Sequence, residues 1–108
     1  MQHIAICTYR VKKGQEQPFL AQLRKHWPTL HSLGLVEKEH HAIFQGAEEG
    51  GNPFFVEILP WIDARSPDLA EQHPEVIAIW EPMGKMCEAR GGRPPMEFPH
   101  VDLIAAES

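Results

Sequence analysis

The chain has 108 residues, of which 43% are hydrophobic and 23% are charged, and its formal net charge is -5. This length predicts one domain spanning residues 1–108, and the composition is typical of a folded rather than a disordered chain. Because the 15 Asp and Glu residues outnumber the 10 Lys and Arg residues, the chain lacks the basic excess that phosphate backbones attract. We therefore expect no nucleic-acid partner.

The first residues, MQHIAICTYRVKKG, contain neither a basic segment ahead of a long apolar run nor the cleavage pattern of a secretory signal. No apolar run approaches the roughly 20 residues that cross a bilayer, so no membrane partner is expected. Cys7 and Cys87 lie inside apolar patterns, which is typical of buried thiols in a reducing compartment. The sequence therefore predicts a cytoplasmic protein.

The first third of the chain predicts a strand followed by a helix. Residues 3–11 alternate with apolar side chains in both positions, as in a strand that is covered on both faces. Pro28 lies inside the helical segment 15–33, so we expect a kink or a second short segment there. The apolar side chains at helical spacing in that segment are Phe19, Leu20, Leu23, Trp27 and Leu30.

Two further strands are predicted at residues 35–45 and 53–61, joined by a polar, glycine-rich loop at 46–52 as a long hairpin. Ser66, Pro67 and Asp68 together predict the start of a short helix that ends near His73, since a hydroxyl, a proline and an acid all suit a first turn.

The main helix is predicted to follow, from His73 to the glycines after Arg90, with a bend at Pro82. Residues 98–105 predict a last strand. The stripe of this helix that should cover the sheet consists of Val76, Trp80, Met83 and Cys87.

The predicted order βαββαβ indicates the ferredoxin-like α+β fold, a four-stranded antiparallel sheet with two helices on one face. The strands are apolar on both sides, so the face opposite the helices needs a cover from outside the chain. A second copy of the same sheet is the simplest cover, and we expect a homodimer that pairs sheet to sheet into an α+β barrel.

Three segments carry a resemblance to a known group: IAICTYRVKKGQEQPFLAQL, PFFVEILPWIDARSPDLAEQHPEV and MEFPHVDLI. With them, the chain resembles the dimeric α+β barrel superfamily, and within it an uncharacterised branch of the small domains related to antibiotic-biosynthesis monooxygenases. The resemblance implies a homodimer with a pocket between helices and sheet in each subunit. Members include cofactor-independent oxygenases of polycyclic phenols, haem-degrading enzymes, and proteins with structural or stress-related roles.

The resemblance leaves three functions open. The first is a cofactor-independent oxygenase of a small aromatic substrate. The second is a non-catalytic dimeric module that binds an apolar ligand or has a stress-related role. The third is a haem or metal binder, but the haem-degrading members use an asparagine on the first strand, and residues 3–11 contain none. We therefore expect no cofactor.

His73 is the catalytic candidate. It precedes Pro74 at the junction of two helices, where a side chain can turn into a pocket mouth, and histidine is a natural general base near neutral pH. The alternative is that His73 only caps the following helix or faces solvent.

An apolar pocket for an aromatic ligand is predicted from the aromatic and methionine side chains, although each of them could instead be ordinary core packing. Glu57 alternates with apolar neighbours, so it either pairs with Arg10 across two strands or is buried alone as a general base with a raised pKa. The candidate pocket residues are Tyr9, Trp27, Phe55, Glu57, Trp61, Trp80 and Met83.

One cluster, Glu37, Glu39, His40 and His41, contains residue types that bind divalent metals. On a regular strand His40 and His41 point to opposite faces, so only Glu37, Glu39 and His41 share one face. These three side chains do not match the spacing of a known site. We predict no metal.

Overall fold

The computed structural model describes residues 3–105; residues 1, 2 and 106–108 of the predicted domain lie outside this range. The sheet has the strand order β2-β3-β1-β4, with β5 also paired to β1, and all pairs are antiparallel. This is the predicted ferredoxin-like α+β fold. Its elements are β1 (His3–Arg10), α1 (Glu16–Ser32), β2 (Ala42–Glu48), β3 (Asn52–Trp61), α2 (Ser66–Ala70), α3 (Pro74–Lys85), β4 (Met96–Glu97) and β5 (His100–Val101).

The core lies between the helices and one face of the sheet. Helix α1 turns Phe19, Leu23, His26 and Leu30 inward, since residues at these offsets share one helix face. The ring of Phe19 lies 5.3 Å from that of Tyr9 on β1 and 5.2 Å from that of Phe55 on β3, which anchors α1 across the two central strands. Helix α3 contributes Val76, Ile79 and Met83 to the same core.

The two long helices differ from the prediction in different ways: α1 has the predicted extent but is not divided at Pro28, and α3 is shorter than predicted. Helix α1 continues through Pro28 to Ser32; Arg24 and Pro28 are exposed, so water can bind the Arg24 carbonyl that the proline leaves free. Helix α3 ends at Lys85 rather than at the glycines, because the chain after it pairs with the end of β1. The backbone N–H of Lys12 donates to Met86, and that of Glu88 donates to Arg10.

The hairpin and the second strand also differ from the prediction. Strand β2 starts at Ala42, since residue 36 makes only an isolated bridge to Trp61 and residues 37–41 form a turn with His40 at a φ of 70°. The hairpin is tighter than expected, because Gly46 to Glu48 pair with β3 and only the short 3-10 turn Glu49–Gly51 separates the strands.

The last predicted strand, 98–105, is instead two short pieces, β4 and β5. Pro99 separates them because it has no N–H to donate, although its carbonyl accepts a 2.9 Å hydrogen bond from Ile6. Residues 102–105 continue without strand structure.

The sheet surface opposite the helices, here called the open face, is apolar as predicted. One cross-strand row consists of Thr8, Val56 and Phe44, and Phe44 is 56% exposed. The next row contains Ile6 and Ile58. Within residues 3–105, no helix combines the length and the apolar character that crossing a bilayer requires.

Candidate functional site

Glu57 lies at the centre of the site, in the middle of β3, with its side chain directed at the helices and 0% exposed. Three side chains bind its carboxyl group. The Tyr9 hydroxyl donates to Oε1 at 2.8 Å, His26 Nδ1 lies 2.8 Å from Oε1, and His41 Nε2 lies 3.0 Å from Oε2. A buried carboxyl group requires such partners, and here they come from β1, from α1 and from the turn before β2.

The tautomer of His26 follows from its second partner, Trp80 on α3. The indole N–H of Trp80 donates to His26 Nε2 at 2.9 Å. Because an indole N–H is only a donor, Nε2 carries no hydrogen, and the single ring hydrogen of a neutral imidazole lies on Nδ1. In this arrangement His26 donates to Glu57 from Nδ1.

Burial raises the pKa of the Glu57 carboxyl, but the hydrogen bonds from His26 and His41, the charge interaction with His26 and the hydrogen bond from Tyr9 together outweigh it and lower the pKa to about 2. Glu57 is thus a carboxylate at any physiological pH. Burial, together with the negative charge of Glu57, raises the pKa of Tyr9 well above its usual value and also raises the pKa of the Cys7 thiol. The phenol and the thiol stay neutral beside the carboxylate.

Neither predicted arrangement of Glu57 is present. Arg10 does not pair with it, because Arg10 pairs with Phe54 in the ladder and its guanidinium binds Glu48 at 3.2 Å and Glu97 at 2.6 Å. The predicted isolated carboxyl with a raised pKa is also wrong, since three donors lower that pKa.

A cavity of about 330 Å³ lies between the sheet and the helices beside this network. This volume is within the range of small-molecule sites, which are mostly apolar with a few oriented polar groups. Its wall includes the polar residues His26 and Tyr9. The lining residues are Cys7, Tyr9, His26, Leu59, Trp61, Pro67, Glu71, Trp80, Met83, Met96, Phe98 and His100.

No family model and no curated protein matches the sequence. Among solved structures, the chain is similar to a protein from Nitrosomonas europaea described provisionally as an antibiotic biosynthesis monooxygenase. The TM-score is 0.74 at 11% identity, over 95% of this chain and 90% of that chain. A dimeric ferredoxin-like protein of unknown function from Jannaschia sp. CCS1 gives a TM-score of 0.59 at 14% identity, over 95% of this chain and 100% of that chain.

The chain has the fold of these two proteins. The predicted resemblance is therefore confirmed at the level of the fold. Identities of 11% and 14% carry no residue roles across, so the chemistry of this ferredoxin-like domain has to be argued from its own side chains.

The structure brings most of the predicted pocket residues together. Tyr9, Trp61, Trp80 and Met83 line the cavity. Glu57 lies behind its wall, bonded to Tyr9 and His26.

Three other predicted site residues lie elsewhere. Phe55 packs on Phe19 in the core, and Trp27 donates its indole N–H to the Glu37 carbonyl at 2.9 Å, outside the cavity lining. His73 precedes the first residue of α3, with its side chain 37% exposed and Nδ1 3.5 Å from Glu75. It does not line the cavity either.

Sequence reasoning missed the two histidines that bind Glu57. His26 carried a signal, since it occupies the inward stripe of α1, where a polar residue needs a buried partner. His41 was considered only as a member of the metal-like cluster, and only the pairing of Ile43 with Glu57 shows that the turn before β2 brings its ring to the carboxylate.

The predicted metal-like cluster is dispersed. Glu37, Glu39 and His40 are exposed in the turn, whereas His41 points at Glu57. Among residues 3–105, no three His, Cys, Asp or Glu side chains are grouped so as to hold a metal ion.

Proposed function

We propose that the cavity binds a small, mostly apolar molecule and that His26 acts on it as a general base. The observation that carries this proposal is the Glu57–His26 pair, in which a buried carboxylate accepts from Nδ1–H of an imidazole that also lines the cavity. A carboxylate behind an imidazole orients the ring and stabilises the imidazolium that forms when Nε2 takes a proton.

Trp80 determines what the ligand must supply. Its N–H occupies Nε2, so this hydrogen bond has to break before His26 can accept a proton. A ligand with an O–H or N–H group can replace it, and the released indole N–H can then donate to an acceptor on the same ligand. The proposed ligand therefore carries a protic group on an otherwise apolar body.

The specific reaction we propose is cofactor-independent oxygenation of a small aromatic substrate. A substrate hydroxyl gives its proton to His26 Nε2, and the anion that remains transfers one electron to molecular oxygen, the co-reactant. The substrate radical and superoxide then combine through a new carbon–oxygen bond, and the resulting peroxide takes the proton back from His26 as a hydroperoxide. The aromatic side chains Trp61, Trp80 and Phe98 in the wall suit a flat ring. The description of the Nitrosomonas europaea protein is consistent with this class of reaction.

The test combines ligand binding with turnover. Thermal-shift screening of phenols and quinones should identify a ligand that raises the melting temperature, and an oxygen electrode then follows its consumption. His26→Gln should retain binding and lose turnover at least about 100-fold. His31→Gln, an exposed histidine on the same helix, should behave like the parent protein. Equal turnover in His26→Gln and the parent would remove His26 as the base.

A non-catalytic ligand-binding module is the second candidate. The occupied Nε2 of His26 favours it, since the resting site offers no free base. This function predicts a bound ligand, no oxygen consumption, and the same affinity in His26→Gln as in the parent.

We also propose a homodimer formed through the open face, and a reducing, cytoplasmic location. The exposed apolar side chains Phe44, Val101 and Leu103 support the dimer, as does the description of the Jannaschia protein as dimeric. The two unpaired thiols, Cys7 and Cys87, support the location.

A further inference from the structure

The carboxylate behind His26 is shared with a second histidine. His41 Nε2 lies 3.0 Å from Glu57 Oε2, and His26 Nδ1 lies 2.8 Å from Oε1. The two rings differ in their access to water, because the side chain of His41 is 21% exposed and that of His26 only 4%. One carboxylate therefore links a ring at the cavity wall to a ring that reaches solvent.

The two rings also differ in whether a hydrogen bond must break when they are protonated. His41 donates from Nε2 to the carboxylate, and the neutral ring and the imidazolium can both make this bond. His26 must break its bond from Trp80 before Nε2 can take a proton. Protonation of His26 therefore breaks a hydrogen bond that protonation of His41 leaves intact.

Other ionisable groups lie around the network, and Glu71 and His100 line the same cavity as His26. Tyr9 and Cys7 on β1 stay neutral, and Glu57 on β3 stays ionised. His31 on α1 stacks on the same indole as His41, that of Trp27. The exposed turn before His41 carries Glu37, Lys38, Glu39 and His40.

Trp27 holds the His41 ring in place. Its indole stacks on His41 with centroids 5.5 Å apart and on His31 at 4.6 Å, and its N–H is bound to the Glu37 carbonyl. This stack keeps the edge of the His41 ring directed at Oε2. The contact with Glu57 is thus built from α1, the turn and β3 together.

We propose that His41 is a positioning residue that sets the strength of His26 as a base through their shared carboxylate. Neutral His41 leaves the full negative charge of Glu57 to stabilise a proton on His26. Positively charged His41 neutralises that charge and weakens His26 as a base. The proposal rests on the proposed function for its catalytic consequence, but the coupling itself exists in the ligand-free protein.

The test is long-range ¹H–¹⁵N NMR of the histidine rings in the ligand-free, full-length protein, from about pH 4.5 to pH 8.5. In the parent protein the His26 resonances should change in two steps, and one of these should coincide with the His41 transition. In His41→Gln, which keeps a neutral donor, His26 should change in one step at a pH about one unit higher. His31→Gln, which removes the other imidazole that stacks on Trp27, should reproduce the parent curve.

A His26 transition at the same pH in His41→Gln and in the parent would overturn the proposal. If His41→Gln does not fold, the parent titration decides alone, because a His26 curve without a step at the His41 transition also overturns it. Ligand screening is a separate measurement: its failure defeats the proposed function, whereas uncoupled rings in a protein that binds ligand defeat only the role of His41.

Discussion

The indole N–H of Trp80 donates to Nε2 of His26 across 2.9 Å, and this bond determines which nitrogen of the imidazole carries hydrogen. It joins α3 to α1 between residues that are 54 positions apart in the chain. The same imidazole donates to Glu57 from its other nitrogen. Trp80 therefore supports the Glu57–His26 pair and also blocks Nε2, the atom of His26 that would act as the base.

Replacing Trp80 by Phe should make His26 easier to protonate. The variant keeps an aromatic ring in the wall but removes the donor, so Nε2 can take a proton without breaking a hydrogen bond worth about 1 kcal/mol. In ring-nitrogen NMR, the His26 transition should move upward by about 0.7 pH units. Trp61→Phe, which alters the other tryptophan of the cavity, should leave the transition unmoved. An unmoved transition in Trp80→Phe would show that the indole does not restrain His26.

Replacing Glu57 by Gln should destabilise the protein at neutral pH. The amide keeps the volume but loses the charge, and its NH₂ group cannot accept from the donors that now face two carboxylate oxygens. We expect a loss of about 2 kcal/mol in the free energy of unfolding, measured by urea denaturation. Glu81→Gln, on the exposed side of α3, is the matched control and should change little. Equal losses in the two variants would argue against a role of the buried network in stability.

The stability difference between the parent and Glu57→Gln should depend on pH in a defined direction. The pKa of Glu57 is lowered from 4.5 to about 2 in the folded protein, so the contribution of the carboxylate is complete above pH 4.5. It is lost as the pH falls from 4.5 towards 2, so the stability difference should shrink on acidification. Denaturation curves of both proteins over this range test the sign. A difference that grows on acidification would contradict the assignment of Glu57 as the stabilised carboxylate.

The fold could be predicted because its main signals are local. Alternating apolar residues in β1 and β3 and the inward stripe of α1 agree with the packing in the structure. Element ends were less predictable where distant backbone groups determine them. Helix α3 stops at Lys85 because Met86 and Glu88 bind the end of β1, and that pairing has no local signature.

The site was only partly predictable for a related reason. Glu57 and Tyr9 were selected by alternation along single strands, which is readable from the sequence. The charge state of Glu57 depends on His26 and His41, which come from two other segments of the chain. His73 was selected from its local position beside Pro74, but its side chain pairs with Glu75 at the start of α3.

Phe44→Glu should prevent dimerisation. Phe44 lies beside Val56 on the open face and is 56% exposed in the single chain, so a carboxylate there would be buried without a partner in a sheet-to-sheet dimer. Size-exclusion chromatography with light scattering should give a dimer for the parent and a monomer for the variant. Leu69→Glu, on α2 and 39% exposed, should remain dimeric. A monomeric parent at micromolar concentration would rule out the dimer itself.

The two thiols should both react slowly in the native protein, and Cys7 should be the slower. Burial, with the charge of Glu57, raises the pKa of Cys7, whereas burial raises that of Cys87 to about 11 although Arg90 and Lys12 oppose it. The thiolate is the reactive form, so a rise from 9 to about 11 lowers its fraction at pH 8 about 100-fold. Iodoacetamide labelling with peptide mass spectrometry measures the two rates, and the urea-unfolded chain provides the reference.

Cys7 lines the cavity, so a bound ligand should slow its labelling further without affecting Cys87. Rapid native labelling of Cys7 would show instead that its thiol is exposed to reagents through the cavity.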